Sequence, residues 1–221
     1  MSGKLIVIEG TDGSGKATQT GALASALEAA GKATRTLSFP CYGSDSSALV
    51  RMYLRGDFGS QPGDVNGYAA SAFYAVDRYA SFKLDWEKDY RAGGILLADR
   101  YTTSNAVYQM AKLPKTEWEG YLAWLADFEH ARLGIPRPDL VLYLDVKAET
   151  SAALLSGRYA GDESKKDIHE KNLAFQAYCR EAARYCAEQD HWKWIECDEG
   201  GRMRPVDAIA ADVLRAASEV L

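Results

Sequence analysis

Residues 4–19 read KLIVIEGTDGSGKATQ, from Lys4 to Gln19: an apolar run, a glycine-rich turn, then a lysine that opens a helical pattern. That order decides the fold. Leu5 to Ile8 are four consecutive apolar residues, short enough for a strand and continuous enough to be buried on both faces, as strands of a parallel sheet are. Gly10, Gly13 and Gly15 let the chain wrap with its N–H groups pointing inward. Ala22, Leu23, Ala26, Leu27 and Ala30 mark a helix that begins near Lys16 and aims its positive end at the same point. The natural occupant of the loop formed by Gly10, Thr11, Asp12, Gly13, Ser14, Gly15, Lys16, Ala17 and Thr18 is nucleotide phosphate, with Lys16 as a point charge for the β and γ phosphates. The competing reading is a βα turn without ligand. Strand before and helix after are the context that the phosphate reading requires.

Further along the chain, short apolar runs alternate with long helical patterns, the mark of βαβ units around a buried parallel sheet. The expected strands are Leu5 to Ile8, Thr34 to Phe39, Ile95 to Ala98, Leu140 to Leu144 and Trp192 to Glu196. Val65, Tyr68, Ala69, Ala72, Phe73, Val76, Tyr79 and Ala80 recur at helical spacing, which predicts one long amphipathic helix from about Asp64 to Tyr90. A last helix, opened by Pro205, carries Val206, Ile209, Ala210, Val213, Leu214, Ala217 and Val220. The fold class is therefore α/β, in one domain covering residues 1–221.

Bulk properties restrict the function. The 26 Lys and Arg against 31 Asp and Glu give a net charge of −5, so no global positive field draws in nucleic acid or an anionic membrane. Phosphate binding must be local. Cys41, Cys179, Cys186 and Cys197 are scattered without a CxxC or a Cys/His cluster, which speaks against a zinc site or a disulfide framework. No apolar run has the length of a membrane span, and the strand-like start leaves no room for a signal peptide, so a cytoplasmic protein is expected.

A phosphate loop serves motors, switches and small-molecule kinases alike, so a second substrate site has to be sought elsewhere. ILLADRY, ending in Asp99, Arg100 and Tyr101, supplies it: the carboxyl ends of strands border the ligand crevice of an open parallel sheet. Asp99 is placed to anchor magnesium waters and Arg100 to bridge the transferred and accepting phosphates. A plain Asp–Arg salt bridge is the alternative.

IEGTDGSGKATQ, SFP at Ser38 to Pro40, FYAVDR at Phe73 to Arg78, ADRYTTSNAVYQ at Ala98 to Gln109, PDLVLYLD at Pro138 to Asp145 and the charged segment from Arg158 to Lys171 together resemble the thymidylate kinase family. The resemblance runs along nearly the whole chain. It implies a P-loop nucleoside-monophosphate kinase fold, a five-stranded parallel sheet flanked by helices with a mobile lid at about residues 157–171, and transfer of the γ-phosphoryl group of ATP to dTMP with Mg2+. By the same resemblance Asp12 accepts the 3'-hydroxyl of the acceptor sugar, and Tyr108 crowds its 2' position. Tyr74 stacks on thymine, with Arg78 on the same helical face at its carbonyl edge. Ser104 and Asn105 stand against the base, and Phe39 and Tyr42 beside base and acceptor phosphate. The catalytic cation falls in the lid, with Arg158 the first candidate and Lys165 and Lys166 behind it, because position 13 is glycine. A homodimer through the long helix is also implied.

Two positions depart from the family pattern. Cys41 stands where many relatives have a phosphate-binding arginine, so that either Arg51, Arg55 or Tyr42 takes over some of that task or dTMP is bound more weakly. Ala17 stands where a serine or threonine helps to hold magnesium. Magnesium keeps several waters and is held mainly by phosphates, so a water in place of one hydroxyl is expected to serve. The alternatives are a kinase for another nucleotide or a nucleoside, which a substrate panel separates, and a non-catalytic nucleotide-binding regulator, which would bind ATP without releasing ADP.

Overall fold

The computed structural model describes residues 2–147, 149–151, 154, 169 and 172–221. Five parallel strands form one sheet: β1 (Lys4–Gly10), β2 (Thr34–Ser38), β3 (Ile95–Asp99), β4 (Leu140–Asp145) and β5 (Lys193–Glu196), in the order β2-β3-β1-β4-β5. Each expected strand is present, with ends moved by a residue or two. The register is regular, with Ile8 opposite Asp99 on one side and Leu142 on the other.

Alternate residues of a strand point to opposite faces, and in β1 both faces are covered. Leu5 and Val7 join Leu96, Ala98, Val141 and Tyr143 in one core, under Phe82, Trp86, Val107, Tyr121 and Cys179. Ile6 and Ile8 join Leu97, Leu142 and Leu144 in the other, under Leu23 and Leu27 of α1 (Lys16–Ala29) and Ile209 and Val213 of the last helix (Val206–Ala217). This is why LIVI, ILLA and LVLYL carry no polar alternation. The edge strand β2 reads TRTLS, with one buried position, as suits a strand whose outer side meets water.

α2 spans Ala48–Arg55. The long helix is less uniform than its apolar spacing predicts. Val65 is extended, and Asn66 caps the helix by accepting from the Ala69 N–H at 2.8 Å, so α3 runs Gly67–Ser81 instead of starting near Asp64. It continues as a π-helical turn, Phe82–Trp86, and then α4, Glu87–Arg91. Val65 fits the helical period, but the side-chain cap one residue later decides the start. After β3 come α5 (Thr102–Ser104), a π-helical turn Asn105–Gln109, and a 3-10 turn Met110–Lys112. α6 (Trp118–Ala126) ends in another π-helical stretch, Asp127–Arg132. α7 is Leu173–Asp190, and Val206–Ala217 is α8.

Candidate active site

β1 meets β3 and β4 at the point where strand order reverses, and the crevice opens beyond their carboxyl ends. The first loop turns there. A Cβ at Gly10 would lie 2.5 Å from Ser14 Oγ and 2.8 Å from the Leu144 carbonyl, so only glycine fits against the neighbouring strand. Gly15 caps α1 at φ 88 with no side-chain hydrogen bond, leaving the first N–H groups of α1 without a capping side chain. Lys16 is buried, and its Nζ donates to the carbonyls of Gly10 at 3.0 Å and Thr11 at 2.9 Å. Burial, reinforced by Arg100, pulls its pKa down to about 8. Gly13 lies at φ 80, while Ala17 and Thr18 are exposed on the first turn of α1. Ser14 Oγ is buried in the loop without a hydrogen-bond partner among the described residues.

At the end of β3, Arg100 adopts φ 67 and donates its backbone N–H to the Ile8 carbonyl at 3.1 Å. The turn swings its guanidinium over the first loop, where it pairs with Asp12 and lies 5.2 Å from the Tyr108 ring centroid. Tyr108 Oη donates to Asp12 at 3.1 Å. Burial disfavours the Asp12 anion, but Arg100 and then Lys16 outweigh it and hold its pKa below the ordinary value. Asp12, Arg100 and Tyr108 thus form one group, from two separate stretches of chain. The Asp99 carboxylate, one residue before Arg100, makes no hydrogen bond among the described residues.

The residues that the family resemblance assigns to the acceptor lie on α3, on the helical turns after β3 and just after β2. Phe39 follows β2, donates its N–H to the Asp99 carbonyl at 3.1 Å and leads into a cis bond to Pro40. Tyr74 is half-buried, edge-on to Tyr53 at 6.3 Å. Arg78 is buried, with its Nε and Nη2 on the two oxygens of Glu129 at 2.7 and 2.6 Å. Asn105 donates to the same Glu129 at 2.9 Å. Ser104 does not join that group; it and Thr103 both donate to Glu9 at 2.7 Å. Tyr42 is 56% exposed. Arg51 spends one nitrogen on the carbonyls of Tyr42 and Ser44 at 2.8 and 2.9 Å, and Arg55 pairs with Asp57. The Cys41 N–H donates to Asp77 at 2.8 Å.

Arg158, Lys165 and Lys166 lie outside the described residues. His169, within the same charged segment, is buried against the site: it stacks on Tyr108 at 5.4 Å, and its Nε2 is 2.7 Å from Tyr53 Oη. Burial, with Lys112 nearby, drops its pKa to about 3, so it stays neutral at any working pH. His169, Glu9, Glu129 and Gln176, which reaches Asp12 at 3.4 Å, were not legible as site residues. Glu9 alone left a trace, as a charge closing a fully apolar strand.

The sequence profile of the family described as "Thymidylate kinase" matches residues 8–200. A thymidylate kinase of Mycobacterium tuberculosis (strain ATCC 25618 / H37Rv) is 35% identical over 174 residues, covering 78% of this chain and 80% of that relative. The human thymidylate kinase is 32% identical over 151 residues, 68% of this chain and 64% of its own. Among solved structures, thymidylate kinase from Candida albicans superposes with a TM-score of 0.71 at 20% identity, covering 99% of this chain and 92% of that one, a likeness of fold. The profile match over most of the length, together with a relative 35% identical and covered to 80%, places this chain in the thymidylate kinase family.

Proposed function

We infer that the protein transfers the γ-phosphoryl group of ATP to dTMP, giving ADP and dTDP. The observation that carries this reading is the Asp12–Arg100–Tyr108 group, which ties the donor-phosphate loop directly to the acceptor side. The acceptor is a phosphate oxygen, ionised near neutral pH, so no general base is required and catalysis consists of positioning and charge neutralisation. The bond from the γ phosphorus to the β–γ bridging oxygen breaks, and a bond from that phosphorus to an oxygen of dTMP forms.

Lys16 and the N–H groups of residues 10–18 hold the β and γ phosphates. Arg100 reaches both phosphates across the gap. Asp12 accepts the sugar 3'-hydroxyl, Tyr108 fills the space a 2'-hydroxyl would need, and Tyr74, Arg78 and Asn105 surround the base, with Phe39 and Tyr42 near the acceptor phosphate. The donor set fits magnesium: Asp99 is a hard oxygen ligand without a hydrogen bond among the described residues, beside the phosphate loop. When bound, the ion neutralises phosphate charge. We assign the lid cation to Arg158 on the family resemblance.

The common sheet supports a single unit over residues 1–221. Exposed Tyr68, Val76 and Tyr79 on α3, with Leu84 85% exposed just beyond, support a homodimer through this helix, which sedimentation velocity would check against a monomer. No helix among the described residues is long and apolar enough to cross a membrane, and four unpaired cysteines suit a reducing compartment, which supports a cytoplasmic site. Coupled ADP release with ATP and each nucleoside monophosphate, in magnesium and again in manganese, tests the activity; ADP release that does not depend on dTMP would overturn it.

A further inference from the structure

Arg78, Glu129 and Asn105 come from three different helical segments, and all are nearly sealed from solvent, at 1%, 0% and 1% exposure. A guanidinium has five N–H donors. Glu129 takes the Nε and one Nη2 hydrogen side-on, and the Tyr101 carbonyl takes one from Nη1 at 3.3 Å. Two donors, one on each terminal nitrogen, remain. Asn105 Nδ2 donates twice, to Glu129 Oε1 at 2.9 Å and to the Ser71 carbonyl at 3.2 Å. Both partners are acceptors, so the nitrogen must face them, and the amide orientation is fixed by chemistry. Oδ1 is turned the other way and has no partner among the described residues.

We propose that Glu129 is a specificity-determining positioning residue: by gripping Arg78 and Asn105 together it fixes a donor and an acceptor that fit a pyrimidine with a carbonyl next to a ring N–H, and so selects thymine over cytosine. The inference rests on the functional reading above. Thymine offers a carbonyl oxygen to the spare Arg78 hydrogens and a ring N–H to Asn105 Oδ1. Cytosine reverses both, setting its amino group against the guanidinium and a lone pair against Oδ1. A buried polar pair left unmatched rejects a ligand far more strongly than a missing methyl does. Glutamine at 129 replaces one acceptor oxygen by a donor NH2. Whichever way that amide turns, it opposes a hydrogen of Arg78, and in one orientation it also opposes Asn105 and frees its amide to flip.

The test is coupled ADP release with dTMP and with dCMP for wild type, Glu129→Gln and Glu129→Asp, each checked for a cooperative thermal melt. For Glu129→Gln the expected result is a KM for dTMP raised about tenfold, kcat lowered by less than about threefold, and a dTMP:dCMP ratio of kcat/KM reduced about tenfold. Glu129→Asp keeps the charge and shortens the arm, so it should fold even where glutamine does not, with the ratio reduced about threefold. An unchanged ratio in either folded variant overturns the proposal, since a merely structural carboxylate would lower stability without altering base choice. A wild-type protein that releases no ADP with dTMP would overturn the functional reading itself.

Discussion

Arg100 and Asp12 form an ion pair across the mouth of the crevice, and Tyr108 touches both. The pair holds a guanidinium over the first loop, on a backbone turn that directs it, where the proposed reaction brings donor and acceptor phosphates together. Lysine at 100 would keep the charge and lose the fork. Arg100→Lys is expected to lower kcat by about a hundredfold, the scale of losing a preorganised donor at a developing charge, with a smaller effect on the KM for ATP. Steady-state kinetics at saturating dTMP would show it; a loss confined to KM would sink the assignment.

Tyr108 is held from two sides, by the stacked ring of His169 and by its own hydrogen bond to Asp12. Both contacts oppose a swing of the ring that would admit a 2'-hydroxyl in the proposed acceptor site. Tyr108→Phe should keep the preference for the deoxy sugar, while Tyr108→Ala should weaken it about tenfold or more, read as the ratio of kcat/KM for dTMP and its ribonucleotide counterpart. Equal ratios in both variants would mean that bulk is not the discriminator.

In the proposed reaction Lys16 meets phosphate as an ammonium, and burial pulls its pKa down to about 8, below the ordinary lysine value. Activity is therefore present below pH 8 and lost above it: kcat/KM for ATP should fall about tenfold per pH unit on that limb. Phosphomonoesters finish ionising near pH 6, so the limb belongs to the protein. Stability should move the opposite way. The folded state binds this proton more weakly than the unfolded one, so the Lys16 contribution becomes more favourable from pH 8 to 10.5. A flat kcat/KM profile to pH 9.5 would refute the assignment.

Ala17 is exposed on the first turn of α1, so a serine there meets no steric obstacle. If a water serves in its place, Ala17→Ser should change kcat in magnesium by less than about tenfold. A gain of several orders of magnitude from a near-zero base would show that the missing hydroxyl matters.

The sheet was legible because its central strands are buried on both faces and therefore spell unbroken apolar runs, with Ile8 and Leu142 as their inner residues. The phosphate loop was legible because its glycines, lysine and helix are contiguous. Arg100 was legible from its place at a strand end, whereas the acceptor roles proposed for Asp12, Arg78 and Tyr108 came only through family likeness, since these residues lie on three different segments of the chain. Glu129 could not be found: a glutamate among DFEHAR looks like any solvated helix residue until Arg78 is seen opposite it. The start of α3 was misplaced because Val65 keeps the helical period while the Asn66 side chain caps the helix one residue later.

The buried Arg78–Glu129 pair is expected to hold the stability of this protein below what an apolar pair at the same positions would give. Desolvating two charges commonly costs more than their attraction returns. Replacing both by apolar residues, Arg78→Met with Glu129→Leu, should leave the fold as stable or raise it by about 1–4 kcal/mol, whereas Arg78→Met alone, stranding the carboxylate, should cost about 3–5 kcal/mol. Urea melts of the single and double variants measure this directly. The double variant should outlast the natural protein under denaturant and yet phosphorylate no dTMP, so that thermodynamic fitness and chemical usefulness part company at a single pair of side chains.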